Sequence, residues 1–156
     1  MALTSQLAKH LRDIHFGGNW TVSHLKAALS DLSWEQATKQ VHSFNTIATL
    51  SFHSSYYVAA LLKVLEGEPL QAKDEYSFNH PPIHSQEDWE KLMTKIWEDA
   101  EKAALLIEQL PDSILEEKFT DEKYGTYYRN IQGIIEHMHY HLGQIALIKK
   151  ILADQK

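Results

Sequence analysis

What most constrains this chain is a 3.6-residue spacing of apolar side chains, sustained over three long segments that contain no proline. In the first, Phe44, Ile47, Ser51, Val58, Leu61, Leu62 and Leu65 fall on one helical stripe, which predicts a helix from Phe44 to Glu66. Gly67 and Pro69 end it. In the second, Ser85 with Asp88 three residues on is a start signal, and Pro111 is a stop. Between them Trp89, Leu92, Met93, Ile96, Ala100, Ala103, Ala104, Ile107 and Leu110 form one apolar face. In the third, Ile131, Ile134, Ile135, Met138, Leu142, Ile145 and Leu152 predict a helix from Tyr127 to Leu152. A helix with one apolar face has to bury it against another element, so the three segments imply a common core.

A shorter helix is expected from Thr4 to His15, stopped by Gly17-Gly18. Asn19-Trp20-Thr21 offers a cap for a short piece through Leu25, Ala28 and Leu29. Ser33 and Gln36 have capping-box spacing, and a bend is expected near His42-Ser43. No alternating strand pattern competes. Because the two interior connections are long, the reading is all-α: one domain over residues 1–156, a four-helix bundle with long crossover connections.

Composition narrows the function. Hydrophobic residues make up 44% and charged residues 23%, enough for a packed core and too apolar for disorder. The longest apolar runs, such as Val58 to Leu62, fall far short of the ~20 residues a bilayer requires, so no membrane role is expected. Twenty-one acids against fifteen bases leave a net charge of −6, which argues against nucleic acid as a partner. There are no cysteines, hence no disulfides, thiolate ligands or cysteine nucleophiles. That, with the charged start MALTSQLAKHLRD, fits a cytoplasmic protein. No Gly-rich phosphate loop, Gly-x-Ser-x-Gly elbow or Glu-x-x-His carboxylate motif is present.

The unusual feature is ten histidines. In Glu136-His137-Met138-His139-Tyr140-His141-Leu142-Gly143-Gln144, a helical step of about 100° makes His137 and His141 neighbours one turn apart, with His139 nearly opposite. With Met138 at the centre of the buried stripe, His141 lies about 60° and His137 about 100° to the same side. Two imidazoles so placed can share a metal ion, although ten histidines also produce such a pair by chance. His53, mid-helix beside Leu50 and Tyr57, offers a third ligand. A histidine at a core border calls for a hydrogen-bond partner or a metal. Three histidines leave a coordination position open, as catalytic zinc sites do, and imidazole ligation suits zinc, nickel, iron or copper without choosing among them; zinc or nickel is the expected ion, with iron next.

Gln144 reads either as a partner or substrate contact beside His141 or as a cap on nearby backbone or water; Tyr57 reads as a core aromatic with its hydroxyl at the rim, ahead of a proton donor. Trp34, Trp89 and Trp97 fit the core, His80 and His84 lie in a loop, and His10, His15, His24, His42 and His139 read as surface or helix-border residues.

With His53 in the second core helix and the complete His137-x-x-x-His141-x-Gly143-Gln144 pattern in the last, the chain resembles the DinB-like (damage-inducible) metal-binding four-helix bundles of bacteria. The Leu-Ser-Trp-Glu-Gln-Ala stretch at 32–37 adds to the likeness. The resemblance implies that His53, His137 and His141 hold a divalent ion with water in an open position, and that the protein is a homodimer. Some members of that family are thiol transferases that use bacillithiol, mycothiol or glutathione, and others have no known activity. The implied function is a metal-dependent transferase or hydrolase acting on a small molecule, with a low-molecular-weight thiol as candidate partner. The alternative is a non-enzymatic bundle with a vestigial site. A well-defined open cavity reaching His141 favours the enzyme; a core filled by Tyr57, Leu50 and their neighbours favours the alternative.

Overall fold

Six α-helices organise the chain in a computed structural model that describes residues 1–155: α1 (Leu3–Phe16), α2 (Leu25–Leu29), α3 (Trp34–Thr38), α4 (Ile47–Leu65), α5 (Gln86–Gln109) and α6 (Tyr127–Asp154). Among the described residues no strand forms; an isolated antiparallel bridge joins Lys118 to Thr126 just ahead of α6.

The helix starts follow from local chemistry. Thr46 caps α4 by accepting from the Thr49 amide at 3.1 Å, Ser85 caps α5 through Asp88 at 3.1 Å, and Thr126 caps α6 through Arg129 at 3.2 Å. Ser33 and Gln36 form the expected reciprocal capping box at α3. The start of α1 is capped from a distance: the Asp112 carboxylate, 108 residues on, accepts from the amides of Leu3 and Thr4 and from the Thr4 hydroxyl, each at 2.9 Å. Those three bonds hold its carboxyl below the usual carboxylate range, the Thr4 amide first.

Two boundaries differ from expectation. The α4 helix begins at Ile47, three residues after Phe44, which stays 45% exposed. The cap of α2 is His24, whose Nδ1 accepts from the Ala27 amide, and not the Asn19–Thr21 stretch. Asn19 instead donates to the carbonyls of Asp13 and Ser23, tying down the turn after α1 and leaving Trp20 in solvent.

Four long helices do most of the packing: α1 and α4 each lie against both α5 and α6. Leu7, Leu11 and Ile14 of α1, Val58 and Leu61 of α4, Trp89 and Ile107 of α5, and Ile131, Met138 and Ile145 of α6 share one core. Each large side chain buried this way contributes on the order of 1.5–3 kcal/mol. His15, read from sequence as a border residue, is wholly buried, with Nδ1 2.7 Å from the Leu11 carbonyl oxygen and the Trp97 ring beside it. It sits four residues after Leu11, hence on the apolar face.

The 66–85 connection does more than link helices. It contains a single 3-10 turn, Asp74–Tyr76, and buries Ser77 and Ile83 against the rest of the protein. That turn lies over the middle of α4, which brings it to His53.

Candidate metal centre

His53 projects from the middle of α4, and His137 and His141 project from the middle of α6, where the two helices pack together. The three rings converge. His137 Nε2 is 3.1 Å from His53 Nε2 and 2.9 Å from His141 Nε2, and one ligand nitrogen from each lies within 4.8 Å of the others. His53 and His141 are buried and His137 is partly so, following the angular order of the helical wheel about Met138.

The tautomers follow from the outer partners. The Ser77 hydroxyl donates to the Asp74 carbonyl at 2.6 Å, so its oxygen accepts from His53 Nδ1–H at 2.8 Å. His141 Nδ1–H donates to Gln144 Oε1 at 2.7 Å. Each bond puts the proton on Nδ1 and leaves Nε2 a lone pair. Two lone pairs therefore point at His137 Nε2, and one proton there satisfies only one of them. A cation between the three rings satisfies all of them at once. Ligands about 2.0–2.1 Å from an ion, separated by 90–109°, lie about 2.8–3.4 Å apart, which brackets both observed separations. The donor set thus fits a divalent ion in composition, and both separations made by His137 fit it in spacing.

Electrostatics keep the ligands neutral. Burial, and then the two neighbouring imidazoles, push His137 down to about 4. Burial likewise lowers His53 and His141 below the usual imidazole range, the Gln144 bond opposing it at His141. Neutral imidazole is the form that binds metal.

Rings complete the enclosure. Phe78 stacks on His53 with centroids 4.0 Å apart, and Tyr57 meets His53 and His137 edge-on at 5.5 and 5.1 Å. His137 Nδ1 is buried without a hydrogen-bond partner, so packing, chiefly against Tyr57, sets that ring's orientation. Tyr57 is partly buried, and its hydroxyl lies at the rim, donating to the Asp74 carboxylate. The bond holds Asp74 below the usual carboxylate range, while burial, and then Asp74, raise Tyr57 above the usual phenol range. Gln144 takes the partner role that sequence left open. Ser77 and Asp74 went unnoticed there, because nothing in a loop 24 residues from His53 marks its residues as partners.

Two cavities lie near the cluster. One of about 270 Å³ is lined by Phe44, Asn45, Leu50, Gln144, Leu147 and Ile148 and meets the cluster only through Gln144, the partner of His141. One of about 350 Å³ reaches His137 and Tyr57. The remaining histidines gather into no further group of three potential ligands among the described residues. Among the described residues no helix is long and apolar enough to cross a membrane. Compared with family models, curated proteins and solved structures, the chain finds no match in any of the three.

Proposed function

We propose that this chain is a DinB-like four-helix bundle that holds one divalent ion, zinc or nickel before iron, on His53, His137 and His141 and acts as a metal-dependent enzyme of the transferase or hydrolase type. The observation that carries the reading is the convergence of three Nε2 atoms, two of them fixed as lone pairs by Ser77 and Gln144. The resemblance of the His137–Gln144 segment and the pairwise packing of four long helices support the family and the bundle.

A divalent ion with an open position supplies Lewis acidity, lowering the pKa of a bound water or thiol until it is a nucleophile near neutral pH. The protein's own groups do the rest. Ser77 and Gln144 hold two rings in register, Phe78 stacks on His53, and Tyr57, tied by its hydroxyl to Asp74, packs its ring against His53 and His137. The cavity at His137 and Tyr57 supports the enzyme over a vestigial site, and neither cavity is lined by His141. The same reading includes a homodimer in the cytoplasm, for which light scattering should give about twice the 18.0 kDa of one chain.

The test is elemental analysis of untagged protein, followed by circular dichroism with and without a chelator. About one equivalent of metal, with the helical signal kept on chelation, is the expected result. No metal uptake overturns the reading. Collapse of the helices on chelation would identify a structural staple and remove the enzyme.

A further inference from the structure

The histidine cluster is closed unevenly. His53 and His141 are 5% and 7% exposed, whereas His137 is only partly buried and lines the cavity of about 350 Å³. That volume is in the range of small-molecule sites. Its other walls are Tyr57, Arg129, Asn130, Gly133 and Ile134. Arg129, Gly133 and His137 recur every four residues, so they share one face of α6, and the backbone positions of Arg129 and His137 stand about 12 Å apart along the helix.

Three features suit that groove to a ligand. Arg129 has no ion-pair partner among the described residues, while the chain's other arginine, Arg12, bonds Glu101 and Glu108, each at 3.0 Å. The Arg129 stem lies across Gly125, where a Cβ would stand 2.8 Å from Arg129 Cδ; at φ +76° only glycine is at ease there. Gly133 lies mid-helix, where glycine is the costliest residue after proline, yet an added Cβ would meet nothing within 4 Å. Packing therefore does not demand glycine at 133, and its missing side chain keeps the groove floor open. Asn130 contributes no free donor, since its Nδ2 is used by the carbonyls of Tyr124 and Thr126 at 2.9 and 2.8 Å.

We propose that this groove binds a small molecule bearing a carboxylate, held by Arg129, with its other end delivered to the metal centre at His137. A lone guanidinium matches a singly charged, planar carboxylate better than a phosphate dianion, which usually gathers several donors. The assignment rests on the metal reading above and adds to it where the substrate lies and what charge it carries.

The experiment uses cobalt(II)-loaded full-length protein at low ionic strength, with suberic acid monohydroxamate and its methyl ester as probes. Both carry the same metal-binding head; only the acid carries the distal charge. Calorimetry should show the acid binding about tenfold more tightly than the ester, as a charge-assisted pair at a solvated site allows. Arg129→Gln should abolish that preference while leaving cobalt content and ester affinity unchanged. Gly133→Leu should weaken both probes, because its side chain enters the groove. Equal affinity for acid and ester, a preference that survives Arg129→Gln, or failure of both probes to bind cobalt-loaded protein overturns the carboxylate groove alone. Failure to take up cobalt overturns the metal reading, and the groove with it.

Discussion

Acid should destabilise this fold through His15, a residue remote from the metal centre. Its ring is wholly buried, with Nδ1–H given to the Leu11 carbonyl at 2.7 Å and Nε2 without a partner. Burial pushes its pKa down from 6.5 to about 4, against the smaller opposing pull of the Leu11 bond. The folded state thus resists a proton that the unfolded state accepts, so stability is full above pH 6.5 and falls as pH drops from 6.5 towards 4. At about 1.4 kcal/mol per pH unit the gap comes to about 3 kcal/mol, a large share of the 5–15 kcal/mol typical of a domain. The assay is urea unfolding between pH 7.5 and 4 for wild type and His15→Met, which keeps bulk but cannot titrate. The difference in stability between the two should be flat above pH 7 and shift by about 3 kcal/mol in favour of the variant by pH 4. A difference that stays constant across the range would refute the assignment of a buried neutral imidazole at position 15.

Ser77→Ala removes the acceptor of His53 Nδ1–H and should weaken metal affinity about 10–100-fold with the helical signal unchanged, as a competitive chelator titration would show. Met138→Ala, wholly buried on the same helix as two of the ligands, should cost about 2–5 kcal/mol in urea unfolding while retaining full metal stoichiometry. Ser85→Ala should cost about 1 kcal/mol through loss of the α5 cap, read in the same assay.

The long helices were legible because each carries its own period and its own stop: Pro111 after α5, and Gly67 and Pro69 after α4. The His137–His141 pair was legible for the same local reason, and His53 because a mid-helix imidazole beside Leu50 needs a partner. The rest depends on tertiary placement. Ser77, Asp112 and Arg129 act on residues 24, 108 and 8 positions away, and only Arg129 shares a helix with what it serves. His15 follows Leu11 by one helical turn, a local spacing that puts it on the buried face. The unpartnered state of Arg129 is a property of what its neighbours do, which no local pattern contains.

The central claim, that His53, His137 and His141 share one ion, is tested most directly by X-ray absorption at the metal edge of zinc- or nickel-loaded protein. Three imidazole nitrogens at about 2.0–2.1 Å, plus oxygen from water, are predicted, with one imidazole lost in His53→Ala. A spectrum with two or fewer imidazoles in the wild type, or one unchanged by His53→Ala, would contradict it.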